Sequence, residues 1–158
     1  MRAFQLLLVV LFSYSCSQST SSLSDAQKNN ISKEIQQTLS DYYSDIKKEG
    51  LLAEFKYLDS SSDFLWVPPG FTSPISFDSV AIVLKKNAPQ LRSVINSWNT
   101  LHVYPLSEEL ASYSGKLHSK IMDTTGKTSE VDLIESGVMI KRADKWKLLC
   151  GQTSVINQ

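Results

Sequence analysis

Residues 137–149 read Gly-Val-Met-Ile-Lys-Arg-Ala-Asp-Lys-Trp-Lys-Leu-Leu and predict a β-hairpin near the C-terminus. Two strand-like runs, residues 128–142 and 145–155, are separated there by only Ala143 and Asp144. A two-residue loop between such runs is the ordinary connection between antiparallel strands. We therefore expect the chain to end in a pair of antiparallel strands.

Further strand-like segments precede this hairpin. Residues 94–106 form one, and residues 111–123 form another, in which apolar-leaning side chains recur at every second position. Residues 124–127 contain a glycine and predict the turn that leads into residue 128. An earlier short strand, residues 63–67, is stopped by the Pro-Pro-Gly that follows it, because proline cannot donate a hydrogen bond to a sheet.

Helices are predicted in the first half of the chain. Five apolar residues spaced three or four apart form one stripe of a helix that Asn30 caps and Gly50 ends: Ile31, Ile35, Leu39, Tyr42 and Ile46. Residues 51–57 predict a short second helix, and residues 77–86 predict a third with Ser76 as its N-cap. Helices followed by a meander of strands predict an α+β fold in which the sheet curls over the helices.

Several local signatures of the chain resemble one known superfamily. They are Tyr42-Tyr43 at the end of the first helix, residues 63–70 (Asp-Phe-Leu-Trp-Val-Pro-Pro-Gly), residues 102–107 after Trp98, the hairpin at 137–149, and residues 152–154. On these residues the chain resembles the nuclear transport factor 2-like superfamily from about Ile31 to Val155. Within it, the chain is similar to the SnoaL-like branch, which is related to the calcium/calmodulin-dependent kinase association domain. Many members have a histidine where this chain has Gln152, so no polar site is carried over to that position.

The resemblance implies a cone-shaped fold. A strongly curved antiparallel sheet, of the cystatin-like roll type, would wrap around the N-terminal helices and leave an apolar pocket at its wide end. The resemblance also implies a homodimer, because curved sheets of this superfamily commonly pair face to face. Members include isomerases, dehydratases, cyclases, small-molecule carriers and non-catalytic dimerisation modules, so the fold alone does not select a function.

The N-terminus predicts export. Arg2 is followed by an apolar run, residues 3–12, that is too short to span a bilayer and has the length of a signal-peptide core. Small residues at 13 and 15 precede Cys16, a pattern that predicts a bacterial lipoprotein with its lipid on Cys16, in the periplasm or at the cell surface. The same residues also suit an ordinary signal peptidase, which would release a soluble secreted protein.

These features divide the chain into three parts. Residues 1–15 are predicted to be the signal peptide, and residues 16–28 the lipidated cysteine with a flexible, serine-rich tether. Residues 29–158 are predicted to form one SnoaL-like domain.

Charge and motifs exclude several classes of function. The 16 basic and 16 acidic residues balance, whereas a nucleic-acid-binding protein needs a basic face. The sequence contains no zinc-ligand spacing, no Gly-x-Ser-x-Gly elbow, no phosphate loop and no dinucleotide fingerprint. We therefore expect no metal and no cofactor. The expected partners are a small apolar molecule, a membrane through the N-terminal lipid, and a second copy of the chain.

Residues near the C-terminal end of the first helix, and on the strands that face it, are predicted to form the rim or lining of the pocket. They are Tyr43, Trp66, His102, Tyr104 and Asp132. Trp66 is expected to supply an apolar wall, while His102 and Tyr104, two residues apart, share one face of their strand. Asp132 and His102 are the candidates for acid–base catalysis. Glu135 is three residues from Asp132, so at most one of these two carboxylates faces inward, and the simpler interpretation places both in solvent.

Two kinds of function fit this pocket. We expect non-catalytic binding of a small apolar or aromatic molecule, and the alternative is a cofactor-free enzyme of the isomerase, dehydratase or cyclase kind. A third hypothesis is a pure dimerisation module. A buried, unpaired carboxylate or histidine in the pocket would favour the enzyme, and a wholly apolar lining would favour the binding protein.

Overall fold

The computed structural model describes residues 22–156, in which two α-helices pack against one six-stranded sheet. The elements follow in the order α1 (Asp25–Glu49), the 3-10 helix η1 (Leu51–Lys56), β1 (Leu65–Val67), β2 (Ile75–Ser76), α2 (Phe77–Asn87), the 3-10 helix η2 (Ala88–Gln90), β3 (Leu91–Pro105), β4 (Leu110–Asp123), β5 (Thr128–Arg142) and β6 (Lys145–Val155). The sheet order is β2-β1-β6-β5-β4-β3. Strands β3 to β6 form the predicted antiparallel meander, and β1 joins β6 in parallel. The α+β prediction is confirmed.

Helix α1 begins earlier than its apolar stripe indicates. Its N-cap is Ser24, whose side chain accepts a hydrogen bond from the Gln27 backbone at 3.3 Å, while the Gln27 side chain accepts one from the Ser24 backbone at 2.9 Å. This reciprocal capping box satisfies two backbone donors that a helix start leaves free. The predicted cap at Asn30 is therefore wrong, and residues 25–28 are helical and not part of a tether. Residues 1–21, with the signal peptide and Cys16, lie outside the described residues.

The predicted stripe of α1 forms the centre of the core. All five of its residues are buried, and Ile35 and Leu39 are completely shielded from solvent. Burial of each such side chain stabilises the fold by about 1.5–3 kcal/mol, so the stripe accounts for much of the helix-to-sheet packing. The helix ends as predicted at Gly50, which has a φ of +89° and donates its backbone N–H to the Ile46 carbonyl.

The closing hairpin has the geometry that its sequence predicts. Ala143 and Asp144 have φ angles of +45° and +64°, the left-handed pair that a two-residue hairpin turn requires. Strands β5 and β6 pair from Arg142 and Lys145 at this turn to Leu133 and Val155 at the far end.

Strand β3 contains a bulge at Asn99. Trp98 pairs with Leu117 and Thr100 pairs with Lys116, so Asn99 is an extra residue with no partner on β4. An extra residue reverses which side chains point inward, because side chains alternate along a strand. From Val94 onward, the inward-facing residues are even-numbered up to the bulge and odd-numbered after it: Val94, Asn96 and Trp98, then Leu101 and Val103.

None of the helices within residues 22–156 is both long enough and apolar enough to cross a bilayer.

Candidate small-molecule site

The concave face of the sheet encloses a cavity of about 320 Å³ between α1, η1 and α2. Its apolar wall includes Trp66 from β1, Val83 from α2 and Leu117 from β4. This volume lies at the lower end of the range of known small-molecule sites, which are concave, mainly apolar and furnished with a few polar groups. Here the acidic groups are Glu54 and Glu135.

Glu135 lines the cavity and is buried, with 5% of its surface exposed. The hydroxyls of Tyr43 and Tyr113 donate to its Oε1 at 3.0 Å and 2.9 Å, and the Thr153 hydroxyl donates to its Oε2 at 3.1 Å. Burial raises the pKa of Glu135, and the three hydrogen bonds partly oppose that rise. No ion pair among residues 22–156 includes Glu135, so the hydrogen-bond partners of its carboxyl group are neutral hydroxyls.

The two tyrosines reach Glu135 from opposite layers of the fold. Tyr43 comes from α1 and Tyr113 from β4, and both rings pack on Trp98 with centroid distances of 5.6 Å and 6.0 Å. Burial, and then the nearby Glu135 charge, raise the pKa of both phenols. The phenols therefore stay protonated and remain hydrogen-bond donors at neutral pH.

Glu54 is the second carboxylate of the cavity. It lies on η1, half-buried, next to Tyr42. Burial raises its pKa to about 7, the Glu135 charge adds to that rise, and the Tyr42 hydroxyl opposes it. Two carboxyl groups in one apolar cavity disfavour each other's ionisation, which is a common arrangement in sites that transfer protons.

Trp66 can reach the cavity because Gly151 lies behind it. A Cβ at Gly151 would come within 2.5 Å of Cζ3 of Trp66 and would also meet the Ser136 carbonyl oxygen. The parallel pairing of Trp66 with Gly151 thus sets an aromatic wall directly against β6. Only a glycine permits an approach this close.

The structure brings two of the five predicted pocket residues to the cavity and leaves three outside it. Tyr43 and Trp66 line the cavity. His102 and Tyr104 are exposed, because the bulge at Asn99 turns their side chains to the outer face of β3. The prediction that they line the pocket is therefore wrong, and the extra residue in β3 is the reason.

Asp132 also lies outside the cavity, on the outer face of the sheet. Its carboxylate lies 2.9 Å from Nζ of Lys116 and 2.8 Å from Nδ1 of His118, both on the neighbouring strand β4. Hydrogen bonds from His118 and Lys116 hold the pKa of Asp132 below its usual range. Asp132 is an ion-paired surface carboxylate, so neither catalytic candidate from the sequence lies in the cavity.

The sequence contains one indication that Glu135, and not Asp132 or His102, lies in the cavity. Glu135 shares its parity on β5 with the buried residues Leu133 and Met139, which places it inward. The signal was ambiguous because the opposite parity, with Ile134 and Val138, is equally apolar. Nothing in the pattern around Glu54 distinguishes it from an exposed glutamate on a short helix.

Comparison by sequence identifies no relative: no family model matches the chain, and no curated protein matches it. Among residues 22–156, no group of three His, Cys, Asp or Glu side chains is placed to hold a metal ion.

Solved structures, in contrast, are similar to this one over most of its length. A nuclear transport factor 2-like superfamily protein from Salmonella enterica serovar Typhimurium has a TM-score of 0.69 at 13% identity, covering 82% of this chain and 94% of that one. A protein provisionally assigned as a scytalone dehydratase from Novosphingobium aromaticivorans has a TM-score of 0.73 at 10% identity, covering 85% and 89%. The hexachlorocyclohexane dehydrochlorinase LinA-type3 from Novosphingobium barchaimii has a TM-score of 0.65 at 14% identity, covering 85% and 92%.

These similarities confirm the fold that the sequence signatures predict. The curved sheet, the buried first helix and the cavity between them are the cone of that prediction. The chain has the nuclear transport factor 2-like fold.

Proposed function

We propose that this domain binds a small, largely apolar or aromatic molecule in the cavity of the cone. The observation that carries the proposal is the cavity itself, about 320 Å³ in volume, with an apolar wall and a hydrogen-bonded polar group at Glu135. Such a site gains affinity from buried apolar area, while a few polar groups fix the orientation of the ligand.

The proposal is tested by filling the cavity from α2. N-phenyl-1-naphthylamine, a neutral aromatic probe whose fluorescence rises in apolar surroundings, should bind the wild-type protein. Val83→Trp should abolish this binding because the new side chain would occupy the cavity, whereas Ile82→Trp, at the next position and 68% exposed, should not. Equal binding by both variants would show that the probe binds elsewhere.

A second candidate function is proton transfer on the bound molecule. It is favoured by Glu54, whose pKa of about 7 would let a half-buried carboxyl group accept or donate a proton near neutral pH. A base of this kind in an apolar cavity could catalyse an elimination or an isomerisation without a cofactor. Glu135 is a buried carboxylate that lacks a cationic partner, and a group of this kind favours an enzyme over a non-catalytic binding protein.

The proton-transfer function has its own experiment, with 5-nitrobenzisoxazole as a neutral probe substrate. A base removes the proton on C3, the C–H electron pair forms the nitrile, the N–O bond breaks, and the coloured phenolate leaves. Wild-type protein should be faster than Glu54→Gln by at least roughly tenfold, and Asp132→Asn should match the wild type because Asp132 lies outside the cavity. A Glu54→Gln variant as fast as the wild type would rule out this base.

We propose further that the domain is exported, anchored through a lipid on Cys16, and active as a homodimer. Support for the anchor comes from the apolar run that ends just before Cys16. Support for the dimer comes from apolar side chains on the outer face of the sheet, such as Ile95 and Ile134, which are 36% and 48% exposed. A monomer mass in solution at high micromolar concentration would contradict the dimer.

A further inference from the structure

The charged groups that line the cavity all carry the same sign. Glu54 and Glu135 are both acidic, and no lysine, arginine or histidine among the described residues joins them in the lining. The donors on Glu135 are neutral hydroxyls, so no cationic side chain would neutralise its carboxylate. Ionising a buried carboxyl group that has hydrogen bonds but no cationic partner costs free energy, and an occupant of opposite charge would recover part of that cost.

Aromatic rings lie beside these carboxylates. Tyr42 and Tyr43 line the cavity with their ring centroids 4.8 Å apart, and Trp66 lines it from β1. Aromatic rings attract cations through their electron-rich faces, and tryptophan does so most strongly. Acidic groups together with aromatic rings are the chemistry with which proteins hold an ammonium group.

We infer that the ligand of this cavity is a small organic cation, a protonated amine or quaternary ammonium group on an apolar body. The inference rests on the proposed binding function and specifies the class of ligand. The apolar wall accepts the body, and the carboxylates accept the charged end. An anionic ligand would meet two groups of like charge in a site with little water to screen them.

The protonation state of Glu54 should make the affinity for a cation depend on pH. The titratable groups that act on Glu54 are Glu135 of β5, which disfavours its ionisation, and Tyr42 of α1, which favours it. A bound cation would favour the ionised form, so binding should release a proton near pH 7. Since a group with a pKa of about 7 is mostly protonated at pH 6, affinity for a quaternary ammonium should be up to roughly tenfold higher at pH 8.

The experiment compares three probes that share a benzyl group and differ in charge, at pH 8 by titration calorimetry. Benzyltrimethylammonium carries a fixed positive charge, neopentylbenzene is its neutral isostere, and phenylacetate carries a negative charge. The cation should bind at least tenfold more tightly than the neutral isostere, and phenylacetate should not bind. Benzylamine, added as a fourth probe, tests whether a protonated amine is held as well as a quaternary one.

Two variants test whether the preference for a cation over its neutral isostere comes from the two carboxylates. Glu54→Gln and Glu135→Gln should each reduce the cation-to-neutral affinity ratio by about tenfold while affinity for neopentylbenzene stays within twofold. Asp132→Asn is the matched control, because it removes a carboxylate from the outer face of the sheet. If Glu135→Gln does not fold, Glu54→Gln and the comparison of pH 6 with pH 8 still decide the matter.

The possible failures are distinguishable. Neopentylbenzene binding as tightly as the cation would overturn the cation inference and leave the cavity as an apolar binding site. A cation preference that survives both glutamine substitutions would also overturn the inference, since the carboxylates would not be its source. Failure of all the probes to bind would overturn the inference together with the proposed function.

Discussion

The hydroxyl of Tyr43 lies 3.0 Å from Oε1 of Glu135, and this hydrogen bond joins helix α1 to strand β5 in the lining of the cavity. Tyr43→Phe removes the hydroxyl and leaves the ring in place, so it isolates the hydrogen bond. Because a bond to a buried carboxylate is worth more than an average one, we expect the free energy of unfolding to fall by about 2 kcal/mol. Urea denaturation measures this change.

Tyr104→Phe is the control for that substitution. Tyr104 is 55% exposed on the outer face of β3, so loss of its hydroxyl should leave the free energy of unfolding unchanged. Equal stability of the two variants would show that the contact between Tyr43 and Glu135 contributes nothing net to the fold.

The raised pKa of Glu54 predicts how stability changes with pH. Since its pKa is about 7 in the folded state and near 4.5 in the unfolded state, the fold binds the proton more tightly. The contribution of Glu54 is therefore fully present below pH 4.5 and is lost as the pH rises through 7. The shift corresponds to at most about 3 kcal/mol.

Glu54→Gln tests this prediction by comparison with the wild type. The difference in the free energy of unfolding between the two proteins should change between pH 4.5 and pH 8, with wild type losing stability relative to the variant as the pH rises. Subtraction removes the opposite effect of other carboxylates such as the buried Asp59, where burial raises the pKa but hydrogen bonds from Arg142 and Ser61 outweigh it and leave the pKa lowered. A difference that is constant with pH would mean that Glu54 titrates normally.

The contact between Gly151 and Trp66 gives a third prediction. In Gly151→Ala, the new methyl group would lie 2.5 Å from Cζ3 of Trp66 and closer still to the Ser136 carbonyl oxygen, so the indole and the backbone of β5 cannot both keep their places. We expect a loss of about 1–3 kcal/mol in the free energy of unfolding and a weaker affinity for N-phenyl-1-naphthylamine. Ser154→Thr, which adds a methyl group at an exposed position of the same strand, should change neither.

A fourth prediction concerns the outer face of the sheet, where a substitution should not change binding in the cavity. Asp132→Asn removes the carboxylate that pairs with Lys116 and His118. Exposed ion pairs add little stability and are screened by salt, so the variant should be slightly less stable at low salt and should bind cavity probes as the wild type does. Because the pKa of Asp132 is lowered in the fold, this small loss should disappear under strongly acidic conditions, where the wild-type carboxylate is protonated as well.

Cys16 allows a direct test of the membrane anchor. If a lipid is attached there, the wild-type protein expressed in a bacterium should partition into the detergent phase of a Triton X-114 separation. Cys16→Ser should leave the protein in the aqueous phase or uncleaved. A mature wild-type protein found wholly in the aqueous phase would contradict lipidation and leave ordinary secretion.

The elements that sequence reasoning placed well are those with a strong local signal. The stripe of α1, the Ser76 cap of α2 and the turn at Ala143 and Asp144 each depend on a few residues close together in the chain. The start of α1 was missed because Ser24 belongs to a serine-rich tract, where composition indicates disorder and conceals a capping box with Gln27.

The candidate site was less predictable because it depends on which way each strand faces. Tyr43 and Trp66 were placed at the cavity, but Asp132 was chosen over Glu135 on a strand that is apolar on both faces. The role of Glu54 depends chiefly on its burial by distant elements, and to a smaller extent on the nearby Tyr42 and Glu135. Tertiary contacts of this kind leave no trace in local spacing.

The bulge at Asn99 divides strand β3 into two halves that differ by one residue in which positions face inward. In a regularly paired strand, an insertion of one residue would exchange the inward and outward side chains of every residue after it, as far as Pro105. Because Asn99 has no partner on β4, loss of this residue can offset an insertion of one residue before it, and the residues after Thr100 then keep their orientation. A change of length in the half that faces the cavity therefore need not reorient the half that follows it.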